Sequence, residues 1–132
     1  MGVHAVFRVG NFRASQTIAV FGCGPVGLLC MAVAKASGAS RIIAIDINSA
    51  RLDFAKTYAA SDVYLSPSIQ QGEDTVEYSR RNAAHMKAEL GIEDIGPRGI
   101  DLVVDASGAE VSIQTAFYIA KCGGTIVQVR YS

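Results

Sequence analysis

Tryptophan is absent, histidine occurs only twice, and the three cysteines form an odd set. Cys23, Cys30 and Cys122 show no Cys-x-x-Cys spacing, and His4 and His85 stand far apart, so no zinc-ligand pattern is legible. Each cysteine lies among apolar or small neighbours, where a thiol behaves as a small hydrophobe. The expected setting is a reducing cytoplasm, with both histidines at the surface. No run approaches the roughly 18–20 apolar residues of a membrane span. The N-terminus lacks the basic–apolar–small order of a signal peptide, so neither membrane insertion nor export is expected. Nor is there a surplus of one charge: 12 Lys and Arg balance 12 Asp and Glu, which removes the argument for a nucleic-acid surface. Acid is missing from the first 45 residues, which hold Arg8, Arg13, Lys35 and Arg41, while all 12 acids fall between Asp46 and Glu110. A basic start suits a phosphate ligand, or it is ordinary scatter of surface charge. What the chain does have is apolar material. Half of its 132 residues are hydrophobic, enough for the core of one domain.

That material is organised in alternation. Apolar, β-branched runs at Thr17–Phe21, Arg41–Asp46, Asp62–Leu65, Ile100–Asp105 and residues 125–129 read as strands, and most are continuous rather than alternating. Continuous runs are expected where helices cover both faces of a sheet. Between them lie helical patterns. Val26, Leu29, Cys30, Val33 and Ser37 share one stripe, with Gly38 as a stop. A second helix capped by Asn48 or Ser49 would bury Leu52, Ala55 and Ala59. A third, over 75–90, would bury Val76, Ala83, Met86 and Leu90, and a fourth would bury Ile113, Ala116, Phe117 and Ala120 before Gly123 and Gly124 close it. Residues 91–99 hold too much Gly and Pro for an element, and the first 13 suit a short helix with Val3, Val6 and Phe7 inward. The pattern predicts an α/β fold: a doubly wound parallel sheet of five strands, of the Rossmann kind.

Immediately after the first strand comes Gly22-Cys23-Gly24-Pro25-Val26-Gly27, then the first helix. A lone G-x-G-x-x-G is weak, but the strand-to-helix junction is the context that gives it meaning. Gly22 would permit the tight turn, Gly24 would leave room for a pyrophosphate, and Gly27 would let helix and sheet approach. The helix N-terminus would offer unpaired N–H groups to the phosphates, and Pro25 suits its first turn. Asp46 ends the second strand, 19 residues beyond Gly27. A carboxylate there can accept from ribose hydroxyls and would repel a 2′-phosphate, favouring NAD over NADP. Arg51 is open to three readings: a phosphate ligand, a cation stacked on adenine, or a solvated helix residue. Asp105 and Ser107 either border the cofactor or cap the fourth helix.

Together the glycine turn, Ile45-Asp46-Ile47 with Arg51-Leu52, Val104-Asp105-Ala106-Ser107-Gly108-Ala109-Glu110 and Gly123-Gly124-Thr125-Ile126-Val127-Gln128-Val129 carry a resemblance. They are similar to the coenzyme domain of the zinc-dependent medium-chain dehydrogenases, most of all the polyol branch of xylitol, sorbitol and arabinitol dehydrogenases of fungal type. The resemblance runs from about Val3 to Val129. It implies that Gly22, Gly24, Pro25, Val26 and Gly27 line the pyrophosphate, that Asp46 holds the ribose and Arg51 lies by the adenine. Ala106, Ser107 and Gly108 would border the cofactor further along. It also implies hydride transfer from a secondary alcohol of a polyol to NAD, with a zinc ion in a separate catalytic domain.

Several features depart from that family. No metal-binding constellation follows the glycine turn, Ser15-Gln16 replaces the usual Gly-Asp, and Arg130-Tyr131-Ser132 stands where a sixth strand usually begins. The expectation is therefore one dinucleotide-binding domain, residues 1–132, without catalytic or metal-binding residues and inactive alone, either excised or from a truncated or mis-spliced gene. The uncovered strand at 125–129 would pair with a second copy. Two other readings stay open: a stand-alone NAD-sensing or scaffold module, and an S-adenosylmethionine-binding domain.

Overall fold

β1 (Thr17–Phe21) lies at the centre of a sheet in which every neighbour runs parallel to it. β2 (Arg41–Asp46), β3 (Asp62–Leu65), β4 (Ile100–Asp105) and β5 (Ala120–Gln128) complete the order β3-β2-β1-β4-β5. The molecule is a computed structural model that describes residues 15–129, with backbone alone for 121–123. The short helix expected within the first 13 residues, His4 and the Cys122 side chain lie outside the described residues.

Each central strand is buried on both faces, and its alternate residues feed two different cores. Ile18, Val20, Ala44, Leu102 and Val104 pack under α1 (Pro25–Ala36) and α2 (Ser49–Tyr58). Ala19, Phe21, Ile43, Ile45 and Val103 pack under α3 (Thr75–Leu90) and α4 (Glu110–Ile119). The period of two along a strand thus divides one apolar run between two helical layers. The doubly wound parallel sheet expected from the sequence is the fold observed. β1 sits between β2 and β4: the chain winds outward from β1 through β2 to β3, then crosses back to β4 and winds the other way to β5, and this reversal opens a crevice at the strand ends.

Local signals set the helix boundaries. The Asn48 side chain accepts from the Arg51 N–H at 3.1 Å and starts α2. α3 begins with a reciprocal box: Glu77 N–H donates to Asp74 Oδ1 at 2.7 Å and Asp74 N–H to Glu77 Oε1 at 3.3 Å. It ends at Gly91 in a left-handed conformation, φ +66°.

Helix faces were less legible. α1 buries Gly27, Cys30, Met31 and Ala34 and leaves Leu29 exposed, a stripe rotated from the expected one. α3 covers the expected span, but Val76 faces solvent and Tyr78, Ser79 and Asn82 face inward. On α4, Phe117 is exposed while Thr115 and Ile119 join Ala116 inside. Ala120 is not helical: its extended backbone, φ −65° and ψ 138°, opens β5 five residues ahead of the expected start. The register slips between the pairs Ile100–Ala120 and Leu102–Thr125, which absorbs the glycine pair that was expected to close the helix.

Candidate functional site

The chain leaves β1 at Gly22 with φ +95°, a conformation that side chains avoid. A β-carbon there would also stand 2.9 Å from the Ser107 nitrogen, because the turns after β1 and β4 lie against each other. Gly22 N–H donates to the Ile45 carbonyl and Ala106 N–H to the Phe21 carbonyl, each at 2.8 Å, so the three strand ends are stitched together. Gly27 is required by packing: a β-carbon there would fall on the Gly22 carbonyl oxygen. Gly24 differs. It is the N-cap of α1, and a β-carbon at this position would meet nothing within 4 Å. The space above it is open, facing a helix end with unpaired N–H groups and no acid in its first turn.

Asp46 secures this turn from the neighbouring strand. Its carboxylate, only 8% exposed, accepts from Cys23 N–H at 2.8 Å through Oδ2 and from Ile47 and Asn48 N–H at 2.7 and 3.0 Å through Oδ1. Two donors saturate Oδ1, and one leaves acceptor capacity on Oδ2. Burial pushes the Cys23 thiol up to about 12, with the Asp46 charge adding to it, and burial pushes Cys30 up to about 11. Both remain protonated, inert core groups, in line with the sequence reading.

The turn after β4 is held by its own side chains. Asp105, 0% exposed, accepts from Ser107 N–H at 3.0 Å and from the Ser107 hydroxyl at 2.7 Å. The Ser107 and Ser112 hydroxyls lie 2.8 Å apart, and Ala109 N–H donates to Ser107 Oγ at 3.1 Å. Asp105 is thus a buried brace, while Ser107 both braces the turn and borders open space.

A cleft of about 420 Å³ opens over these strand ends. It brings together Gly22, Gly24, Asp46, Arg51, Ala106 and Ser107. The other residues singled out in the sequence lie beside it. Pro25 is exposed as the first residue of α1, Val26 packs against the core, Gly27 is buried under the helix, and Gly108 occupies open space at φ +76°. Arg51 reaches the cleft and has no ion-pair partner among the described residues.

Sequence reasoning missed the far side of the cleft: Ile47 on its lip, and Ser66, Tyr78, Asn82 and Thr115 along its inner wall. The one available signal was the pair Tyr78 and Asn82, polar groups a helical turn apart on the core-facing stripe of α3. Among the described residues no group of three His, Cys, Asp or Glu side chains could hold a metal ion, so this part of the chain does not fit a zinc site. No described helix is long and apolar enough to cross a membrane.

A family model described as zinc-binding dehydrogenase matches residues 25–130. The "Probable D-xylulose reductase A" of Emericella nidulans is 48% identical over 128 residues, covering 97% of this chain and 32% of that protein. The protein of the same name from Aspergillus clavatus is 44% identical over 128 residues, with the same coverage of 97% and 32%. Among solved structures, alcohol dehydrogenase TADH from Thermus sp. ATN1 is similar with a TM-score of 0.70 at 28% identity, over 99% of this chain and 34% of that one. The chain spans about a third of the length of the curated relatives it matches.

Proposed function

The chain belongs to the zinc-binding dehydrogenase family, and on that premise we propose that residues 1–132 form the coenzyme-binding domain of an NAD-dependent polyol dehydrogenase of the xylitol-to-D-xylulose type. The observation that carries the cofactor is the pairing of open space over Gly24 with the carboxylate of Asp46 across one cleft. The pyrophosphate lies along the turn from Gly22 to Gly27 at the head of α1, where only backbone approaches it. Asp46, already oriented by three N–H groups, uses its remaining acceptor capacity on a ribose hydroxyl and repels a 2′-phosphate. Arg51 lies by the adenine, and the turn of Ala106, Ser107 and Gly108 borders the cofactor further along. NAD, when bound, accepts a hydride from the alcohol carbon.

The metal and the polyol contacts belong, in this reading, to a separate catalytic domain, and this chain alone turns over no polyol. The D-xylulose reductase names of the relatives support the substrate class. The free, buried thiols of Cys23 and Cys30 suit a reducing cytoplasm. β5 is the last strand of the described sheet, and its outer edge at 125–129 pairs with a second copy. A monomeric sedimentation profile at high concentration would refute that pairing.

The reading is tested by calorimetric titration with NAD, NADP and S-adenosylmethionine, repeated with Asp46→Ala. NAD should bind, NADP at least about tenfold more weakly because two negative charges are brought together, and S-adenosylmethionine not at all. The variant should lose NAD. Equal binding of NAD and NADP, or none of NAD, would overturn it.

A further inference from the structure

The cleft described above lies over the carboxyl ends of the strands. A second cavity, of about 390 Å³, opens at the opposite end, over the first residues of β1, β2 and β3 and the loop that enters β4. Strands of five and six residues separate the two by about 17–20 Å. Its lining is polar, with Thr17, Ser40 and Ser61 around Arg41, Asp62 and Arg98.

The two arginines are placed there by one peptide corner. Arg41 Nη2 donates to the Leu90 carbonyl at 2.7 Å, and Arg98 Nε donates to the Gly91 carbonyl at 3.1 Å. Leu90 is the last residue of α3 and Gly91 its left-handed cap, so the anchors belong to adjacent residues, about 3.8 Å apart at Cα. A β-carbon at Gly91 would fall on the Arg98 guanidinium, which therefore lies against this corner. Glu93 N–H donates to the Arg98 carbonyl at 3.1 Å and closes the loop that carries it. The carbonyl end of a helix favours cations, and this one gathers two.

Their donors can be counted. A guanidinium offers five N–H groups. Arg41 spends Nε on Asp62 Oδ2 at 2.8 Å and one Nη2 hydrogen on Leu90, which leaves three. Arg98 spends only Nε, which leaves four, and it forms no ion pair among the described residues. Asp62 is the one carboxylate in the lining and is matched by Arg41, so the cavity carries one surplus positive charge. Asp62 Oδ2 also receives the Ser61 hydroxyl at 3.1 Å, while among the described residues no donor reaches Oδ1. Asp101 accepts from Thr17 N–H at 2.8 Å and is not part of the lining.

A carboxylate is satisfied by one guanidinium fork, whereas a phosphate has oxygens enough for two. We propose that this cavity is a phosphate-binding site held by Arg41 and Arg98, in which Asp62 Oδ1 accepts from a hydroxyl of a small phosphate ester. It lies at the far end of the sheet from the cofactor cleft and stands or falls independently of the cofactor reading.

The test is a titration of the isotope-labelled 132-residue chain with inorganic phosphate and with glycerol 3-phosphate, followed by the backbone amide resonances. The amides of Arg41, Asp62 and Arg98 should shift, and the ester should bind about threefold more tightly than the ion through one added hydrogen bond. Arg98 is exposed, so Arg98→Gln leaves the core intact; it should weaken both ligands about fivefold, as for a partly exposed charge pair. Arg80→Gln removes the same charge from an exposed site on α3 and should change neither. Equal affinities for ion and ester would assign the site to the free ion and overturn the role of Asp62. Shifts confined to residues 22–27 would put the anion at the head of α1 and overturn the proposal, as would no shift at tens of millimolar phosphate. An equal loss with Arg80→Gln would show attraction to net charge alone and overturn it too.

Discussion

Two turns leave the central strands side by side, yet they are held in opposite ways. The turn after β4 supplies its own braces, with Asp105, Ser107 and Ser112 bonded to one another within a few residues. The turn after β1 has no such side chain. It is shaped by glycine and braced by a carboxylate from β2, 23 residues away. The first arrangement fills its interior with side chains, while the second keeps the space over Gly24 clear. A turn without side chains of its own to accept from its N–H groups takes the acceptor from a neighbouring strand, and under the proposed function the space so kept clear is where the phosphates lie.

That contrast can be broken most easily at the glycines. Gly22→Ala adds a forbidden φ to a 2.9 Å approach on backbone, and urea unfolding should show a loss of about 3 kcal/mol. Gly108→Ala has the same handedness problem in open space and should cost about 1 kcal/mol. Equal losses would mean that the turns are not packed as described. Next in size is the borrowed brace. Asp46→Ala strands the N–H groups of Cys23, Ile47 and Asn48 and should cost about 2 kcal/mol, against about 1 kcal/mol for Ser107→Ala. A larger loss for Ser107→Ala in the same urea series would invert the comparison.

Smaller effects sharpen it. Cys23 sits inside the first turn with its thiol at about 12, so in a Cys122→Ser background Ellman's reagent at pH 8 should find no free thiolate in the folded chain. Cys23 and Cys30 should both react in urea; rapid reaction when folded would show that the turn opens. The smallest effect is expected at the opposite end of the sheet. Burial raises Asp62, but the Arg41 hydrogen bond at 2.8 Å and its charge outweigh that and leave the carboxyl below its ordinary range. The pair therefore stabilises the fold above the ordinary carboxylate range, and the contribution is lost as pH falls through the lowered value. With both side chains partly exposed this amounts to under about 1 kcal/mol, seen as a slightly flatter acid limb of stability in Asp62→Asn.

Four strands could be read to their observed ends because Thr17–Phe21, Arg41–Asp46, Asp62–Leu65 and Ile100–Asp105 are apolar runs between turn residues. β5 was half legible. Its opening residues Ala120 to Gly124 carry no strand signature, and only pairing with Ile100 makes Ala120 extended. Helix faces failed where apolar residues lie all round, as on α1, whose rotation is set by the contact of Gly27 with Gly22. In the site, the glycine turn and Asp46 stood out because a backbone requirement restricts which residues can serve. Asn82 and Thr115 did not, since an amide and a hydroxyl on a helix are ordinary until a second helix is packed against them.

The order of elements, the parallel sheet and the position of the glycine turn were determined by the sequence alone, because the periods of strand and helix and the stereochemistry of glycine act over a few residues. Tertiary structure decided which helical face is buried, which turn is braced from within and which from its neighbour, and which side chains enclose the far end of the cleft. Each of those depends on a group that arrives from elsewhere in the chain, as Asp46 does at Cys23 and α4 does at Ser79.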